Sequence, residues 1–192
     1  MDDEERKENI IMAAHRLFAR FGLKKTTMEE IAREAGVGKA TIYKFFDGKE
    51  AVFSAVLRVN IERMLALMRE AINSASTVRD KLGEPVKALV HHLRKQAREQ
   101  GFNLDVFPEM RSLVESEGMY FYDEAKTLLA DVLRGGAKRG EVAVSDPVRV
   151  ADTVVTAFRG LETPNTYEAS DREITAKIDD LLELILKGIE PR

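Results

Sequence analysis

The sequence contains no cysteine. That excludes a disulfide framework and thiolate metal sites, and nothing in the composition points to an oxidising compartment. A surplus of either charge is also missing: 30 Lys and Arg stand against 33 Asp and Glu, for a net charge of -3. A strongly basic chain would signal nucleic acid through its total charge; here any such function has to come from a local patch. No apolar run approaches the roughly 20 residues that span a bilayer. The opening MDDEERKENI lacks the basic-then-apolar order of a secretory signal. The expectation is a soluble, cytoplasmic protein with no membrane partner. Alternating strand patterns of useful length, repeats and low-complexity segments are lacking too. What is present is a 192-residue chain, 44% hydrophobic and 33% charged, long enough for one domain or for a small module joined to a larger one.

The period that fills the chain is helical. Ile10, Ile11, Ala14, Leu17, Phe18 and Phe21 form one apolar stripe, and Gly22 follows as a stop. Thr27 and Glu30 form a capping box opening a short helix that carries Met28, Ile31, Ala32 and Ala35 inward and ends at Gly36. A third helix is predicted from about Lys39 to Phe46. Asp47 and Glu50 suggest another box, opening a helix to about Ile72. Pro85 suits the first turn of the next, which Gly101 closes. A short segment around 105–116 precedes a helix over about 119–139. Asp146 with Pro147, and Ser170 with Glu173, open the last two. The predicted class is all-α.

Within this pattern, GVGKATIYKFFDGKE at 36–50 gathers Lys39, Thr41, Tyr43, Lys44 and Lys49 around a glycine turn. A phosphate-cradling loop needs a strand, then G-x-x-x-x-G-K-[ST]. Here the position of its first glycine holds Arg33, Ala40 follows Lys39, and a helix lies upstream, so that reading fails on pattern and context. Two short helices joined by a glycine turn instead match a helix-turn-helix. Ile42 and Phe46, with Val37, can pack on the first two helices, which turns Ala40, Tyr43 and Lys44 outward, flanked by Lys39, Thr41 and Lys49. A small residue allows close approach, while Tyr and Lys can reach phosphates or base edges. Ordinary surface residues on a small helical domain would show the same pattern.

The first-helix AAHRLFARFG, the Thr-Thr pair, IAREAGV, TIYKFF and the lysine of GKE occur in order, and residues 21–57 closely resemble the DNA-binding domain of the TetR family of transcriptional regulators. The resemblance covers the first quarter to third of the chain. It implies a three-helix helix-turn-helix domain, placed at 1–48, and a helical effector-binding and dimerisation domain at 49–192. It also implies a homodimer on a palindromic double-stranded operator, most often as a repressor, released by a small-molecule effector. Carried over by position, Lys39, Ala40, Tyr43 and Lys44 would face the groove, while Thr26 or Thr27, Thr41, Tyr43 and Lys49 would hold phosphates. The sequence departs from the family in having Gly38 where Ser or Thr often caps the helix. Its acidic start, MDDEERKE, also replaces any basic arm and is expected to favour the first helix's N-terminal dipole.

Farther along, two late stripes fit either core or interface: Val150, Ala151, Val154, Val155, Phe158 and Leu161, then Ile174, Ile178, Leu181, Leu182 and Ile185. The resemblance favours a dimer face, with Val154, Phe158, Ile178, Leu182 and Ile185 as its residues. An apolar effector pocket is expected between the long helix, with Met64 and Met68, and the middle section holding Phe102, Phe107, Met110, Met119, Phe121 and Tyr122. A hydrophobic or aromatic ligand would suit it. His91 and His92 point about 100° apart on a helix and do not chelate one ion, and His15 has no ligand spacing. No nucleophile, acid–base pair or metal set supports an enzyme, and no cofactor is implied. A helical adaptor that binds proteins and no DNA is the rival reading.

Overall fold

In the computed structural model of the protein the described residues are 2–100, 111–160 and 169–189. They form eight helices: α1 Asp3–Lys25, α2 Met28–Glu34, α3 Lys39–Phe45, α4 Lys49–Ser74, α5 Val78–Gln100, α6 Arg111–Lys138, α7 Pro147–Arg159 and α8 Asp171–Lys187. The fold is all-α, as the periodicity predicts. The chain divides into two compact units, one of Met1–Glu62 with Gln96–Gly118, the other of Arg63–Lys95 with Met119–Arg192.

The first unit is built on α1, α2, α3 and the start of α4. Ile10, Ile31, Ile42 and Val52 are wholly buried at its centre, and Phe18 meets Phe53 edge-to-face at 5.5 Å. Burying a side chain of this size stabilises by about 1.5–3 kcal/mol relative to leaving it in water. The start of α1 is capped by Asp2, whose carboxylate accepts from Glu5 N–H while Glu5 accepts from Asp2 N–H. Inside α1, Gly22 takes φ 78°, ψ 166°, a break only glycine makes cheaply. That kink turns Leu23 into the core and leaves Phe21 46% exposed, so Phe21 does not belong to the inward stripe in which periodicity places it.

Thr27 and Glu30 form the expected capping box of α2. The helix ends in a Schellman pair, Gly36 N–H to Arg33 C=O and Val37 N–H to Ala32 C=O, with Gly36 at φ 68°. This left-handed glycine aims the chain from α2 into α3. Gly38 precedes α3 in an extended conformation and supplies no side-chain cap. α4 begins at Lys49, after Gly48, whose carbonyl accepts from Val52 N–H; the expected cap at Asp47 lies one residue further out.

In the second unit, α5 starts seven residues before Pro85 rather than at it. Thr77 is the reason: its hydroxyl accepts from Asp80 N–H at 3.0 Å and donates to the Asp80 carboxylate at 2.7 Å. Proline inside a helix removes one backbone bond and costs ~3 kcal/mol. Burial of Val78, Leu82 and Val86 on the same helix offsets that cost. α6 likewise begins ahead of the expected 119, at Arg111, in the stretch that belongs to the first unit. α7 opens on Asp146 with Pro147 behind it, and α8 on a Ser170–Glu173 box, both as predicted. α7 and α8 pack together, and Leu129, Leu133, Val154, Ile178 and Leu182 are almost wholly buried in this unit.

Candidate nucleic-acid interface

α3 is anchored from one side only. Ile42 is fully buried and Phe46, just past its end, is 6% exposed. The opposite face is therefore fixed in direction: Lys39, Ala40, Tyr43 and Lys44 are exposed, and Thr41 is half-buried beside them. Tyr43 presents 44% of its surface. These are the groove-facing positions expected from the sequence, brought onto one surface. Thr27 is exposed at the head of α2, with its hydroxyl held in the box with Glu30. Lys49 is half-buried, its ammonium 3.4 Å from the Lys24 carbonyl at the end of α1.

Thr26 is a correction. It is 1% exposed, and its hydroxyl donates inward to the Gly22 carbonyl at 2.8 Å. A hydroxyl committed to the kink of α1 is not presented to a phosphate, so Thr26 supports the domain rather than touching a ligand.

Two carboxylates sit on the cations of α3. Lys44 Nζ is 2.5 Å from Asp3 Oδ2, and Lys39 Nζ is 2.5 Å from Glu29 Oε1. The hydrogen bond from Lys44 holds the Asp3 carboxyl below its ordinary range. The bond from Lys39 does the same for Glu29 and raises the Lys39 ammonium in return. Sequence reasoning missed both pairs. Asp3 and Lys44 are 41 residues apart and no local pattern links them. The acidic start of the chain was the only available signal.

The expected effector and dimer residues fare differently. Phe102, Phe107 and Met110 lie outside the described residues. Met68 and Phe121 are 2% and 9% exposed, Met64 is half-buried, and Tyr122 is half-buried with the Arg159 guanidinium 4.1 Å from its ring centre. None of these four lines the cleft of about 720 Å³ that the second unit does show, at Ser76–Arg79, Glu141–Val142, Glu183 and Leu186–Lys187. Its Lys187 pairs with its Glu183 at 2.6 Å, and its Glu141 is taken by Arg139, which lies outside the lining.

The proposed dimer residues need correction. Val154, Phe158, Ile178 and Leu182 are between 0% and 8% exposed within their own chain, so they are core, and Ile185 alone of that set is half-buried. The outer faces of α7 and α8 instead carry Val148 at 48% and Leu184 at 72% exposure. A period of 3.6 identifies an inward face and says nothing of single apolar residues on the outer one.

Two further features had no sequence signal. Arg94 is 2% exposed, paired with Asp171 at 3.0 Å and donating to the Ala169 carbonyl, which ties α5 to the head of α8. Burial pushes the His92 imidazole below its ordinary value, helped by Arg63, Lys95 and His91. Among the described residues no group of three or more His, Cys, Asp or Glu could hold a metal ion, and no helix is long and apolar enough to cross a membrane.

Residues 10–56 match the family of bacterial regulatory proteins, tetR family. Over the whole chain, the HTH-type transcriptional regulator YhgD of Bacillus subtilis (strain 168) is 26% identical, the match covering 96% of this chain and 97% of that one. A TetR-family regulator from Mesorhizobium loti superposes with a TM-score of 0.73 at 20% identity, covering all of both chains. The transcriptional regulator FadR from Bacillus subtilis, solved in complex with stearoyl-CoA, gives a TM-score of 0.58 at 23% identity over 95% of this chain and 99% of that one.

Proposed function

We propose that this chain, which belongs to the TetR family of bacterial transcriptional regulators and is not an enzyme, binds a palindromic operator as a homodimer through α3 and is released from it by a small-molecule effector. The observation that carries the reading is the outward face of α3. Ala40 leaves room for close approach, Tyr43 and Lys44 reach beyond the surface, and Ile42 behind them holds the helix rigid. A helix so presented fits the major groove, with Tyr43 and Lys44 directed at base edges and phosphates. Lys39, Thr41, Thr27 and Lys49 flank it as phosphate contacts, which position the module without selecting sequence.

Two copies read one operator only if their α3 helices stand about 34–36 Å apart, or a multiple of that. Val148 on α7 and Leu184 on α8, both exposed, are our candidates for the surface that joins them. Binding over a promoter excludes polymerase, which makes repression the direction we assign. An effector that binds better to a differently spaced dimer lowers operator affinity by the ratio of its two affinities. The complex of FadR with stearoyl-CoA supports a hydrophobic effector here as well. Cytoplasmic placement follows from a DNA partner.

The test is selection of bound duplexes from a random pool, read by sequencing. A palindrome with half-sites about one helical turn apart supports the reading. A chain that retains no duplex at any salt, alone or with acyl-CoA added, is the helical adaptor instead.

A further inference from the structure

We propose that Asp3 is a built-in competitor of DNA for Lys44: its carboxylate occupies the recognition-helix ammonium in the free protein and must be displaced for that lysine to reach the duplex. The inference rests on the DNA-binding reading above and adds a residue that sets its strength.

Asp3 is not on a loose tail. It is the first residue of α1, behind the Asp2–Glu5 capping box, and Arg6 holds its second oxygen at 3.2 Å. Its placement is thus fixed by a capped helix, and it puts one oxygen 2.5 Å from Lys44 Nζ, where a DNA phosphate oxygen would otherwise bind. Glu29 stands in the same relation to Lys39, from the first turn of α2. Both pairs lie at the surface, with Lys44 and Asp3 side chains 60% and 54% exposed. Exposed pairs of this kind are weak, so the contact tunes affinity and does not lock the protein off DNA. Once Lys44 turns to the duplex, Asp3 remains beside a polyanion. It then repels the duplex or takes up a cation, which subtracts from the counterions that binding releases. The overall deficit of positive charge, -3 for the chain, fits a protein that restrains its own non-specific DNA binding.

The test compares Asp3→Asn with a charge-matched control, Glu70→Gln, an exposed position in the second unit. Each is titrated by fluorescence anisotropy against the selected duplex and a mixed-sequence duplex, from about 50 mM salt upward. Asp3→Asn is expected to bind about two- to fivefold tighter than the control, the range an exposed ion pair supplies. The gain should be largest at low salt, with a slope steeper by up to about 0.9. In a Lys44→Ala background, at salt low enough that binding persists, the gain should vanish. Asp3→Ser serves as a second variant should the first disturb the start of α1. Equal binding by Asp3→Asn and the control, or a gain that survives Lys44→Ala, overturns this inference alone. Failure of the unaltered chain to bind either duplex overturns the DNA-binding reading and this inference with it.

Discussion

Replacing Thr26 by valine exchanges one buried hydroxyl for a methyl of similar size, at a residue that the domain hides almost completely. The Thr26 hydroxyl donates to the carbonyl of Gly22, the residue whose φ of 78° kinks α1. The substitution leaves little cavity, so the loss is that of one hydrogen bond plus the cost of a carbonyl buried without that donor. Such losses amount to about 1–3 kcal/mol, and about 2 kcal/mol is the expectation here. For a chain of 192 residues that lowers the melting temperature by roughly 2–4 °C for each kcal/mol lost. Circular dichroism at rising temperature measures the stability. Anisotropy with a selected duplex, well below the melt, measures binding. A clear loss of stability is expected, with an affinity within about twofold of the unaltered chain, because the hydroxyl faces Gly22 and not a phosphate. An unchanged melt with affinity reduced about tenfold would instead return Thr26 to the phosphate contacts.

Three further outcomes are expected. A Cβ on Gly136 would stand 2.5 Å from Val78 Cγ2, so Gly136→Ala should destabilise by about 1–2 kcal/mol despite alanine's better helix propensity; chemical denaturation should show the Val78→Ala, Gly136→Ala pair costing less than the sum of the two. Leu184→Glu, at a site 72% exposed, should leave the helical signal intact and convert the proposed dimer to monomer in sedimentation, and an unchanged oligomeric state would remove α8's outer face from the proposed interface. His92 is held below its ordinary pKa by burial, Arg63 on α4, and Lys95 and His91 on α5, so the unfolded chain takes up the proton first. Its contribution is therefore intact above the ordinary histidine value and lost as pH falls from there through the folded-state pKa, and His92→Gln should flatten that part of the pH–stability curve.

Local chemistry made much of this molecule legible. Thr27 with Glu30, Asp146 with Pro147, and Ser170 with Glu173 set helix starts through bonds spanning three residues or so, which a sequence displays directly. Pro85 misled because it is a good first-turn residue. The Thr77–Asp80 cap and the burial of Val78, Leu82 and Val86 decided the matter instead. The α3 face was readable because Ile42 and Phe46 must turn inward, which leaves Tyr43 and Lys44 only one direction. Thr26 and Thr27 are chemically alike in sequence, and the backbone break at Gly22 is what sends one in and leaves the other out. The Asp3–Lys44 and Arg94–Asp171 pairs join residues far apart in the chain, and no periodicity carries such information. Apolar stripes on α7 and α8 told of burial, whereas the exposed Val148 and Leu184 carry the interface question.

The most direct test of the central claim is paired titration of the selected duplex with the unaltered chain and with Tyr43→Ala, alongside thermal melts of both. Tyr43 is 44% exposed and belongs neither to the buried core of its unit nor to the side chains packed against that core. Matching melts and a loss of affinity of about tenfold or more are expected, the scale of a contact that reads DNA. Matching melts with equal affinity would mean that α3 does not face the duplex, and the proposed mechanism would fall with it.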